Sequence, residues 1–275
     1  PYSAILYNLQ GAGYAEFGNS AGAIDSFRQA IKIKPDDADA YSNMGNALLK
    51  TGELDKAISI CRQAIKIKPV CAEAYHNLGI SLKEKGQFDE AISSYRQAIK
   101  IKPDYAEAYG NIGAALQEKG EFDEAILSCR QAIEIKPDYA EAYSNMGVTL
   151  QEKGEFDEAI LSCRQAIKIK PDYAEAYNNL GNALKEKGEL DEAISSYRQA
   201  IKIKPHDNVA WKNIFFSLKA AQLDYGVLEN QLPLLLEKTL PASVQAKAVI
   251  LRYRLKLGGP DAEGLMNAAI DVLSS

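Results

Sequence analysis

Apolar and small residues recur three and four positions apart in two short blocks, a glycine separates the blocks, and the pair returns every 34 residues. In Ala106 to Tyr139 the first block, AEAYGNIGAALQEKG, places Tyr109, Ile112, Gly113 and Leu116 on one face of a helix. The second, EFDEAILSCRQAIEIKP, does the same with Ala125, Ile126, Cys129, Ala132 and Ile133. Gly120 predicts the C-terminal cap of the first helix, and Pro137 ends the second. Each unit therefore reads as two antiparallel helices joined by a tight turn.

The period is marked by Pro35, Pro69, Pro103, Pro137, Pro171 and Pro205, and predicts a solenoid in which each unit packs on its neighbours. Six units follow: 4–37, 38–71, 72–105, 106–139, 140–173 and 174–207. The first is the most degenerate, with Gln10 where later units carry Met or Leu. Gly45, Gly79, Gly113, Gly147 and Gly181 let paired helices approach closely, and Ala57, Ala91, Ala125, Ala159 and Ala193 do the same on the partner helix. Asp104/Glu107, Asp138/Glu141 and Asp172/Glu175 have the spacing of capping boxes. The pairs Asp89-Glu90, Asp123-Glu124 and Asp157-Glu158 recur with the unit, which suits helix-start charges better than a catalytic acid–base pair. Past Asp207 the register fades. VAWKNIFFSLKAA predicts the first helix of a seventh unit, with Trp211, Ile214 and Leu218 inward. The rest of 208–275 reads as a non-repetitive helical C-terminal cap or a connector, broken at Gly258-Gly259-Pro260 with Asp261 capping a last helix.

The set Tyr177, Leu180-Gly181, Leu184, Ala193, Tyr197, Ala200 and Pro205, repeated at unchanged spacing, resembles the tetratricopeptide repeat. The resemblance implies an all-α, right-handed α-solenoid whose first helices line a concave face where ligands lie. On that face falls a ladder of Asn43, Asn77, Asn111, Asn145 and Asn179, extended by Asn213. An asparagine amide offers donors and an acceptor, so a row of them suits an extended peptide held by its backbone; helix packing is the alternative role. The array is similar to the tetratricopeptide segment of the O-GlcNAc transferases, where such a ladder implies peptide binding. Glu73, Glu107, Glu141 and Glu175 flank the ladder, and Glu84, Glu118, Glu152 and Glu186 lie further down the helix. If they face the groove, it favours neutral or basic segments; otherwise they are cap residues and solvated helix ends. The middle of the array is the more acidic part: Ala106 to Tyr139 carries three basic against seven acidic residues, while Lys50, Lys83 and Lys185 relieve the ends. A cationic clamp for acidic C-termini is not expected, because Ser42, His76, Gly110, Ser144 and Asn178 precede the ladder positions. Tyr105, Tyr139 and Tyr173 sit at unit junctions, as packing residues or as aromatic ligand contacts.

Composition narrows the classes. A net charge of −5 argues against a general nucleic-acid binder, and no run approaches the roughly 18 apolar residues of a membrane span. No signal-peptide pattern is visible, and a start at Pro1 without methionine leaves an upstream one open. Cys61, Cys129 and Cys163 occupy the position held elsewhere by Phe27, Tyr95 and Tyr197; with Cys71 they read as buried hydrophobes in a reducing, cytoplasmic setting. His76 and His206 are isolated, so no metal site is expected, and no cofactor or catalytic motif is recognisable. The leading expectation is a non-catalytic scaffold that binds a protein or peptide in the concave groove. The alternatives are the substrate-recruiting part of a glycosyltransferase- or sulfotransferase-type enzyme, as in similar cyanobacterial fusions, and an array that associates end to end.

Overall fold

Each helical block of the six units forms a helix in the computed structural model, which describes residues 3–204 together with 209, 210, 212–214 and 217. The first helices are α1 (Ala4–Glu16), α3 (Ala38–Lys50), α5 (Ala72–Glu84), α7 (Ala106–Glu118), α9 (Ala140–Glu152) and α11 (Ala174–Lys187). The second helices are α2 (Ser20–Ile33), α4 (Leu54–Ile67), α6 (Phe88–Ile101), α8 (Phe122–Ile135), α10 (Phe156–Ile169) and α12 (Leu190–Ile203). The Trp211 anchor, the Gly258 break and the Asp261 cap lie outside the described residues, while Ile214 is buried as expected. By its contacts the chain forms two compact units, Pro1–Ala142 and Tyr143–Ser275, divided within α9.

The turn inside each repeat rests on one backbone conformation. Gly120 has φ +77°, a left-handed geometry that a side chain resists, and its N–H returns to the Gln117 carbonyl at 2.9 Å. At the far end of the unit, the Lys136 N–H bonds the Ala132 carbonyl and Pro137 follows, so the helix stops there.

The helix starts differ from expectation. Asp37 does cap α3, accepting from the Ala40 N–H at 3.2 Å. In α7 and α11 the cap position belongs to Tyr105 and Tyr173, and neither makes a side-chain cap bond. Asp104 and Asp172 fall one residue too early, so the boxes Asp104/Glu107 and Asp172/Glu175 do not form. The carboxylate pairs Asp89-Glu90 and Asp123-Glu124 do open α6 and α8, next to the positive end of the helix dipole.

Packing within a repeat turns on the helical glycine facing a single side chain. A methyl at Gly79 would lie 2.5 Å from Tyr95 Cε1, and one at Gly45 or Gly113 would lie 2.5 Å from the sulfur of Cys61 or Cys129. The opposing alanines, Ala57, Ala91 and Ala125, are wholly buried. Gly79→Ala is expected to cost about 1–3 kcal/mol by overpacking, despite the better helix propensity of alanine; urea denaturation measures it. The three thiols at the facing position are pushed up to about 12 by burial. They remain thiols at neutral pH and serve as packing groups.

Candidate functional site

In the first unit α3 packs directly on α5, and α1 on α3 and α5 on α7 more lightly. The second helices approach one another less closely and are linked by exposed ion pairs, Arg62–Glu90 at 3.2 Å and Arg96–Glu124 at 3.8 Å. First helices therefore line the tighter side of this unit, and the asparagine ladder runs along it.

The ladder is tied across the seams between repeats. Asn43 Nδ2 donates to Asn8 Oδ1 at 3.1 Å, and Asn77 Nδ2 to the Ser42 carbonyl at 3.3 Å. Asn111 Nδ2 lies 2.9 Å from His76 Nε2. In the second unit Asn179 Nδ2 donates to Ser144 Oγ and Asn213 Nδ2 to Asn182 Oδ1, both at 3.0 Å. Asn145 is half-buried on α9, and its carbonyl accepts from Thr149 Oγ1 at 2.9 Å. One amide N–H of each of the five bonded asparagines thus has a packing role, which the sequence had offered only as the alternative. The acceptor for Asn43, Asn77, Asn111 and Asn179 lies 35 residues back, one more than the repeat period. That offset brings in the variable residue just before the previous ladder position and is the signal that locates it. Each of these amides keeps its carbonyl oxygen and a second N–H.

The acidic row is partly neutralised. Glu107 pairs with Lys136 at 3.1 Å, and its counterpart Asp39 with Lys68 at 3.4 Å. Burial pushes the Glu107 carboxyl up, but its own backbone N–H, Lys136 and His76 outweigh this and leave it below the ordinary value. Glu73 and Glu175 are exposed in the first turns of α5 and α11, while Glu141 in α9 is half-buried. Of the lower row, Glu84 and Glu186 lie beside Lys83 and Lys185, at 3.5 and 3.0 Å.

Two of the junction tyrosines, Tyr105 and Tyr139, pack against neighbouring residues in this arrangement. Tyr105 stacks on His76, with ring centroids 4.7 Å apart, beneath the Lys102 ammonium at 4.5 Å. Tyr139 fills the space above Gly110, where a methyl would come within 3.0 Å of its ring. His76 is buried between Tyr95 and Tyr105. Its ring is held neutral, pushed down to about 4 by burial, against the pull of Glu107 and Glu73 and with a small push from Lys102. Among the described residues no group of three or more His, Cys, Asp or Glu is placed to hold a metal ion, and no helix is long and apolar enough to cross a membrane.

The family model of the cilia and flagella-associated protein 70 C-terminal domain matches residues 3–214. Among solved structures, the chain is similar to YrrB, described as a tetratricopeptide-repeat protein with an unusual peptide-binding site. The match has 25% identity and a TM-score of 0.53, covering 73% of this chain and all of YrrB. MamA matches at 30% identity with a TM-score of 0.51, over 59% of this chain and 95% of that one. PilF of Pseudomonas aeruginosa shares the fold, with a TM-score of 0.65 at 19% identity over 76% of this chain and 95% of its own. No curated protein matches the chain. These matches bear out the all-α tetratricopeptide-type solenoid and lend the transferase resemblance no support.

Proposed function

The chain belongs to the cilia and flagella-associated protein 70 C-terminal domain family, and from that we propose that it is a non-catalytic scaffold holding an extended or helical peptide along its first helices. One observation carries the reading: five ladder asparagines spend an N–H on the seams and keep a carbonyl oxygen and a second N–H for a ligand backbone. The seam bonds also fix the amides' orientation, which lowers the entropy lost on binding. The peptide-binding site named for YrrB supports the same use of a similar array. Exposed Glu73 and Glu175, with half-buried Glu107 and Glu141, favour neutral or basic peptides over acidic ones. Four unpaired, buried cysteines suit a reducing setting, which includes the interior of a cilium or flagellum.

The test is a titration of short basic, neutral and acidic synthetic peptides against the wild-type chain and the Asn77→Ala/Asn111→Ala variant. Basic and neutral peptides are expected to bind the wild type and to lose about tenfold in affinity on the variant. The variant also loses two seam bonds, at about 1 kcal/mol each by circular dichroism melts. Unchanged affinity beside that loss of stability would confine the ladder to packing and overturn the proposal.

A further inference from the structure

Three residues past each ladder asparagine is a position on the same helix face, about 4.5 Å further along the axis and turned by about 60°. In the first unit it is exposed Asn46 in α3, half-buried Ile80 in α5 and half-buried Ala114 in α7. Four residues before the ladder, on that face too, stand Glu73 in α5 and Glu107 in α7. Along α5 and α7 the ladder amide therefore has a carboxylate towards one end and an apolar surface towards the other. On α3 the apolar side is missing.

Ile80 is the residue of this face that stability explains least. It packs on the core cluster that holds Tyr95, whose buried hydroxyl has no hydrogen-bond partner. In the second unit an asparagine at the same repeat position satisfies the equivalent hydroxyl, Tyr197 donating to Asn182 Oδ1 at 2.8 Å. Isoleucine leaves that desolvated group uncompensated and keeps part of its own side chain uncovered. An apolar surface held at a local cost, beside a row of ligand-ready amides, marks a place where binding overrides stability.

We propose that the first unit selects an extended segment carrying a basic–apolar–basic triplet, with the apolar side chain seated on Ile80 and Ala114. This rests on the peptide binding proposed for the ladder and names the peptide's chemistry. Successive side chains of an extended chain point to opposite sides. With its backbone bonded to Asn77 and Asn111, the peptide turns one side chain down the helices onto Ile80 and Ala114. The two flanking side chains turn the other way, towards Glu73 and Glu107. Those two lie about 7 Å apart and neighbouring helices about 8–10 Å, a difference that lysine or arginine side chains span. Glu73 is exposed and forms no ion pair among the described residues, whereas Glu107 shares its charge with Lys136 at 3.1 Å. The Glu73 side is therefore the stronger of the two basic subsites.

Isothermal titration of two short glycine–serine peptides, one centred on Lys-Leu-Lys and one on Lys-Ser-Lys, tests this. The wild type is expected to bind the leucine peptide about tenfold more tightly. Ile80→Asn is expected to bring the two peptides within about twofold of each other. The new amide stands where Asn182 accepts from Tyr197, so this variant is expected to melt close to the wild type. Ala114→Asn, on the next helix, is expected to erase the preference in the same way and keeps the test open if Ile80→Asn folds poorly. Equal binding of the two peptides by the wild type, or a leucine preference that survives in the folded variants, overturns the triplet while leaving peptide binding intact. A wild type that binds neither peptide removes the peptide function and the triplet together.

Discussion

Truncating Tyr95 to alanine is expected to destabilise the first unit by about 3–5 kcal/mol, while Tyr95→Phe leaves it unchanged or slightly more stable. The ring is fully buried and fills the space left by Gly79, among Ile58, Leu78, Leu82, Ile112 and Leu116. Its hydroxyl is a different matter, because it is buried without a hydrogen-bond partner. The equivalent Tyr197 hydroxyl donates to Asn182 Oδ1 at 2.8 Å, and the residue placed like Asn182 beside Tyr95 is Ile80. A buried hydroxyl without a partner carries its desolvation cost uncompensated, so its removal releases that cost. Tyr197→Phe is expected to go the other way and lose about 1 kcal/mol. Urea denaturation of the three variants checks the set; a loss from Tyr95→Phe as large as that from Tyr197→Phe would contradict the argument.

The second large effect is a fall in stability on acidification, centred on His76. Its folded pKa of about 4 lies below the unfolded value near 6.5, so the unfolded chain takes up the proton first as pH drops. Stability is therefore flat above about pH 7 and falls from there towards pH 4, by about 3 kcal/mol in all. The acceptor for Asn111 lies on the ring, so protonation sets donor against donor until the amide turns. His76→Ser, which installs the residue found at Ser42 and Ser144, is expected to flatten the curve between pH 4.5 and 6.5. Carboxylates such as Glu107, whose pKa is lowered, lose their contribution below that window, in both proteins. Guanidinium midpoints across the pH range distinguish the two; parallel curves would remove His76 as the cause.

The helices were legible because the residues that define them are repeated and chemically unambiguous. Glycine at the turn, glycine against alanine inside the pair and proline at the exit each admit one local structure. What escaped depends on contacts between units. The seam acceptors are an amide oxygen at Asn8, a backbone carbonyl at Ser42, a ring nitrogen at His76 and a hydroxyl at Ser144, and they are found only through an offset of one residue from the period. The capping boxes misled because Tyr105 and Tyr173 take the cap position that Asp37 holds in α3.

The joints on the two sides of the first unit differ in kind. Its inner side is held by first helices in contact, its outer side by exposed ion pairs at Arg62–Glu90 and Arg96–Glu124. Salt screens such exposed pairs and leaves apolar contacts intact. Raising ionic strength is therefore expected to loosen the outer joints before the inner seam, so a rise in salt acts on the two sides of this unit unequally.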